Sequence, residues 1–109
     1  MAATPEARVK KAVDALLKKY GAYYHKPVQN GLGAPSLDYI GCYHGLYYAV
    51  ETKALGKKPT PRQEHTIAQI EASGGKVFVV VGVEGTAELA AWLADIRTVV
   101  EGECYAIIA

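Results

Sequence analysis

Cysteine is scarce here: two of 109 residues, Cys42 and Cys104, far apart and in no metal-ligand spacing. That excludes a disulfide framework and a cysteine-based zinc site, and leaves free thiols as the expectation. The three histidines, His25, His44 and His65, form no paired motif and are assigned no ligand role. No apolar run nears the roughly 20 residues that cross a bilayer, and Val77-Phe78-Val79-Val80-Val81 is far too short. A basic segment followed by an apolar one is missing from the N-terminus, so no secretory leader is expected and the chain reads as cytoplasmic. Repeats, linkers and low-complexity segments are absent too. The expectation is one domain over residues 1–109, with half the residues hydrophobic and enough for one modest core.

Net charge is also small, +1, but its distribution is uneven. Residues 1–63 hold ten Lys/Arg against four acids, Glu6, Asp14, Asp38 and Glu51, for a local charge of +6. Residues 64–109 hold Lys76 and Arg97 against seven acids, for −5. A cationic half enclosing a few acids suits a polyanion that approaches an acidic pocket. A lysine-rich solvated face is the plainer alternative.

The element order reads helix, three strands, helix, strand, helix, with a possible final strand, which gives a mixed α/β sheet flanked by helices. Thr4 and Pro5 start the first helix, Gly21 stops it, and Val9, Ala12, Val13, Leu16, Leu17 and Tyr20 form its apolar stripe. Glu6 continues that stripe. It is either a first-turn acid favoured by the helix dipole or an acid turned toward a site. Ala22 to Gln29 reads as a strand, and Asn30-Gly31-Leu32-Gly33 as a turn or loop. Thr60-Pro61-Arg62-Gln63 is a capping box, with Gln63 on the inward face of the second helix. Lys76 to Val83 reads as a central strand buried on both faces. Leu89, Trp92, Leu93 and Ile96 mark a third helix from Thr86 to about Thr98. Cys104 to Ala109 reads as a short terminal strand, free to pair with this sheet or with another chain. Tyr39, Tyr43, Tyr47 and Tyr48 are expected to fill a sheet face, with stacking on bases the alternative.

The chemistry gathers between residues 35 and 53. A two-residue turn at His44-Gly45 pairs 43 with 46, 40 with 49 and 38 with 51. Asp38 and Glu51 then lie opposite each other, and Glu51 shares a strand face with Lys53. Opposed carboxylates about 5 Å apart repel by roughly 3 kcal/mol at an effective dielectric near 20. A divalent cation between them reverses that sign, and carboxylates plus water are the ligands Mg²⁺ prefers. A cation with an adjacent ammonium suits phosphodiester hydrolysis. The alternative is a Glu-x-Lys pair on a wet strand face.

These residues, in this order, resemble the PD-(D/E)XK nucleases. Within that superfamily, Gly33-Ala34-Pro35, Asp38, Glu51-Thr52-Lys53, Gly56-Lys57-Lys58-Pro59-Thr60-Pro61-Arg62-Gln63 and Gly74-Gly75-Lys76-Val77 are similar to the VRR-NUC, or virus-type replication-repair nuclease, branch. The resemblance covers a core of about residues 4–82, with a C-terminal helix and tail at 85–109, and the small size is like stand-alone phage and bacterial members. It implies a restriction-endonuclease-like fold. It implies Mg²⁺ or Mn²⁺ on Asp38, Glu51 and the Thr52 backbone carbonyl, catalysis by Lys53 with Glu6 and Gln63 in support, and a metal-dependent endonuclease acting on branched DNA as a homodimer. The setting would be a bacterial cell or a phage-infected host. Lys10, Lys57, Lys58 and Arg62 are the candidate DNA contacts. The usual pattern has the acid directly after proline. Here Ser36 follows Pro35 and the acid is Asp38, an offset of two that keeps the strand face. The rival readings are a restriction-type or single-strand nuclease on the same fold, a non-catalytic nucleic-acid-binding module, and a dimerisation module joining basic to acidic halves.

Overall fold

The computed structural model describes residues 3–28 and 35–108, the stretch 103–108 as backbone only. The Thr4 hydroxyl accepts from the Ala7 amide and opens helix α1 (Pro5–Tyr20); Gly21, at φ 67°, closes it in the left-handed conformation. Val9, Val13 and Leu17 form its buried stripe. Strand β1 is only Tyr23–His25, shorter than the 22–29 run expected, and the expected turn at 30–33 lies outside the described residues. Strands β2 (Tyr39–Tyr43) and β3 (Leu46–Lys53) are joined by His44 at φ 50° and Gly45 at φ 84°. Two successive positive φ values match a turn whose twist suits a hairpin. The register follows: Tyr43 pairs with Leu46, Ile40 with Ala49, Tyr39 with Val50.

Helix α2 (Pro61–Ala72) begins with the expected capping box on Thr60, and strand β4 (Lys76–Val81) returns parallel to β3. A 3₁₀ turn at Val83–Thr86 leads into helix α3 (Ala87–Ile108). The sheet is mixed, in the order β1-β2-β3-β4.

Two expectations are corrected. β4 is parallel but lies at the sheet's edge rather than its centre, and Val79 remains 38% exposed. A continuous apolar run signals burial on both faces, but only the face bearing Phe78 and Val80 is fully covered here. The C-terminal segment is helix, not strand: α3 runs on to Ile108. Extending an existing helix gains one hydrogen bond for each residue fixed, while a strand needs a neighbour to pair with.

The core joins Val9, Val13 and Leu17 of α1 to Tyr39, Tyr43, Tyr48, Val50, Phe78 and Val80 of the sheet and to Leu89 and Leu93 of α3. Each fully buried large apolar side chain contributes about 1.5–3 kcal/mol. Tyr39, Tyr43 and Tyr48 thus pack as expected, and Tyr47 is the exposed exception. Among the described residues, no helix is long and apolar enough to cross a membrane.

Candidate active site

Asp38 sits at a bend one residue before β2, just beyond the last rung of the hairpin ladder. Its Oδ2 accepts from the Thr52 amide (2.9 Å) and the Thr52 hydroxyl (2.8 Å). Its backbone amide donates to Glu51 Oε1 at 3.3 Å, so the two acids meet at one end of the hairpin. The register that brings them together is the one the turn dictates.

Glu51 is only 2% exposed. Its Oε2 accepts from Gln63 Nε2 at 2.8 Å and lies 3.3 Å from Lys53 Nζ. Burial pushes its pKa up and the Asp38 charge adds to that, while the Lys53 ammonium, its hydrogen bond and the Asp38 amide hold it back. The net direction is upward, so ionised Glu51 is electrostatically underserved in the metal-free protein.

Gln63 makes two contacts from one side chain. Its Oε1 accepts from the Thr60 amide at 3.0 Å and completes the helix cap, while its Nε2 reaches Glu51. The capping box therefore aims α2 at the carboxylate. Lys10, a candidate DNA contact, lies with its Nζ 3.8 Å from Asp38 Oδ1. Lys57, Lys58 and Arg62 are exposed on the segment from the end of β3 to the first turn of α2, flanked in sequence by Lys53 and Gln63. Glu6 is half-buried in the first turn of α1. Among the described residues no three His, Cys, Asp or Glu side chains converge, so Glu6 does not join Asp38 and Glu51 in a three-acid cluster.

Sequence reasoning also missed the contacts made by Thr52 and Tyr39. The Thr52 hydroxyl clamps Asp38, whereas the family resemblance implies a role only for the Thr52 carbonyl. The Tyr39 hydroxyl lies 2.7 Å from Asp14 Oδ1 and 3.0 Å from the Lys10 carbonyl oxygen, pinning α1 to β2 beside Asp38. Burial and Asp14 push the pKa of that phenol far above the ordinary tyrosine value, so it stays a neutral hydroxyl. No signal in the sequence marked the Tyr39 contact. A threonine between Glu51 and Lys53, facing opposite to both, was the available hint for Thr52.

Glu51, its pKa raised by burial and then by the Asp38 charge, and Asp38, whose Oδ1 is in only a loose ion pair, present hard oxygen donors of the kind a divalent cation takes. Asp38 and Glu51 would hold it, as would the Thr52 carbonyl.

The fold defines a class, the restriction-endonuclease-like mixed α/β domains. No protein-family model matches the sequence and no curated protein does. Solved structures do. A VRR_NUC domain superposes with a TM-score of 0.65 at 27% identity, covering 79% of this chain and 97% of that one. Archaeoglobus fulgidus Hjc, a Holliday junction resolvase from an archaeal hyperthermophile, superposes with a TM-score of 0.54 at 17% identity, covering 70% of this chain and 67% of that one. The chain has a VRR-NUC-like fold.

Proposed function

We propose that this protein is a Mg²⁺- or Mn²⁺-dependent endonuclease that hydrolyses phosphodiester bonds in branched DNA. The observation that carries the reading is the meeting of Asp38 and Glu51 with Lys53 and Gln63 on one carboxylate. Asp38 and Glu51 would hold the cation, which would supply Lewis acidity for activating water and offsetting phosphate charge. Lys53 orients the attacking water and stabilises the charge that builds on the phosphate. Its 15% side-chain exposure and its contact with Glu51 keep the ammonium in place. Gln63 holds Glu51 to α2 and faces the same oxygen. Lys57, Lys58 and Arg62 lead the DNA backbone toward the site.

The VRR-NUC resemblance supports nuclease chemistry and the preference for branched substrates. The resolvase neighbour adds the fold alone. A homodimer cutting two strands symmetrically fits the same reading. In-line attack leaves 5′-phosphate and 3′-hydroxyl ends.

One observation favours a second reading. Both acids already have a lysine partner, Lys10 for Asp38 and Lys53 for Glu51. A non-catalytic nucleic-acid-binding module would need nothing more. The deciding experiment incubates wild type and Lys53→Ala with labelled linear, flap and four-way DNA, in EDTA and in Mn²⁺. The enzyme reading expects Mn²⁺-dependent cleavage, strongest on four-way DNA and lost in Lys53→Ala while folding and DNA binding persist. Full activity in Lys53→Ala would remove Lys53 from the mechanism. Salt-sensitive binding without turnover in either metal condition would establish the module.

A further inference from the structure

Asp38 presents two oxygens with different fates. Oδ2 is filled by the Thr52 amide at 2.9 Å and the Thr52 hydroxyl at 2.8 Å. Two donors from one buried residue hold that oxygen in place. A cation must therefore approach through Oδ1, the oxygen that Lys10 Nζ faces at 3.8 Å. The distance is too long for a hydrogen bond, so the contact is a loose ion pair. Lys10 is also tied to this spot from below. The Tyr39 hydroxyl holds its backbone carbonyl at 3.0 Å, one residue from Asp38.

The two lysines of the site differ. Lys53 is 15% exposed and ion-paired with Glu51 at 3.3 Å, while the Lys10 side chain is 41% exposed and pairs with Asp38 only at 3.8 Å, so it can swing into solvent at little cost. A divalent cation and an ammonium cannot both sit against Oδ1 without repulsion. One must leave, and Lys10 is the mobile one.

We propose that Lys10 is a built-in competitor of the metal at Asp38: it neutralises the carboxylate in the metal-free protein, lowers metal affinity, and is released by the incoming cation to contact a DNA phosphate. This rests on the proposed metal site and adds a coupling to it. Metal binding frees a cationic contact, so DNA and metal bind cooperatively through one side chain. Lys10 is a positioning residue in this scheme, acting through Asp38 and the DNA backbone.

The test uses the full chain and Lys10→Met, which keeps the length of the side chain without its charge, alongside Lys10→Arg and Asp38→Asn. Mn²⁺ is titrated calorimetrically without DNA. Lys10→Met should bind Mn²⁺ about fivefold more tightly than wild type, the scale of a lost exposed ion pair, and Lys10→Arg should stay near wild type. Binding to labelled four-way DNA is then followed against salt, in Ca²⁺ and in EDTA. In Ca²⁺ the slope of log affinity against log salt should fall by about one in Lys10→Met; in EDTA it should not change. Unchanged or weaker Mn²⁺ binding by Lys10→Met overturns the competition. An equal loss of slope in EDTA and Ca²⁺ overturns the release. Absence of any Mn²⁺ binding that Asp38→Asn removes would bring down the metal site itself, and this inference with it. Mn²⁺ binding that needs Asp38 but ignores Lys10 would defeat this inference alone.

Discussion

At the scale of the residue, Glu51 concentrates the tension in the molecule. Its folded pKa is raised above the ordinary 4.5, through burial first and the Asp38 charge second. A raised carboxyl binds protons more tightly in the native state than in the unfolded chain. Stability of the metal-free protein therefore falls as pH climbs from about the unfolded value through the raised one, and the penalty is absent below both. Glu51→Gln removes that penalty. In EDTA its melting temperature should exceed that of wild type at pH 7, and the difference should shrink toward pH 4. A lower melting temperature for the variant at pH 7 would show that the Lys53 and Gln63 contacts outweigh the burial cost. Asp14 behaves in the opposite way. Burial would raise it, but Lys26 and Tyr39 outweigh burial and lower it, so its contribution is lost only as pH falls below about the ordinary 3.8. The two effects occupy different pH windows, so a single titration of stability separates them.

At the scale of the element, the N-terminus of α2 and the β1–β2 pairing carry the geometry. Thr60→Ala loses the hydroxyl that accepts from the Gln63 amide at 3.2 Å. The expected cost is about 1 kcal/mol by denaturant titration. Cleavage should drop as well, because the same turn aims Gln63 at Glu51. The sequence displayed that cap completely, since a capping box is a matter of four consecutive residues. Gly41 tells a different story. A Cβ there would collide with the Tyr23 carbonyl oxygen and lie 2.6 Å from the Tyr48 ring, whose hydroxyl donates to that same carbonyl at 3.0 Å. Gly41→Ala should destabilise the protein by about 1–3 kcal/mol or more, since neither neighbour can yield freely. Thermal unfolding followed by circular dichroism checks this. Nothing in the sequence around Gly41 announced the constraint, because both colliding groups come from other strands.

At the scale of the whole molecule, α3 completes the core. Leu89 and Leu93 are fully buried in the same cluster as α1 and the sheet, and the Trp92 ring lies 5.6 Å from Tyr48 and 5.4 Å from Phe78. The family-like core at about residues 4–82 excludes all three. A chain cut after Gly82 should fail to fold. Losing two core leucines costs about 2–5 kcal/mol each, against a typical total of 5–15 kcal/mol. Cooperative unfolding of the 1–82 fragment would show instead that the core stands without α3. The placement of β4 also belongs to this scale. Its sequence reads as a central strand, yet the four-stranded order gives the central parallel position to β3 and leaves β4 at the rim.

The local signals were enough to bring the two acids together. A turn at His44-Gly45 and a side-chain period of two set Asp38 against Glu51 and place Lys53 on the Glu51 face, and Thr60 with Gln63 set the start of α2. These depend on residues a few positions apart or on one tight hairpin, so neighbours in sequence contain the information. The Thr52 clamp on Asp38, the Lys10 ion pair, the Tyr39 tether, the rim position of β4 and the helical C-terminus were decided only in three dimensions. Each depends on which face of α1 or which strand packs against a partner many residues away. Packing of that kind is chosen by the fit of the whole core, which no local pattern encodes.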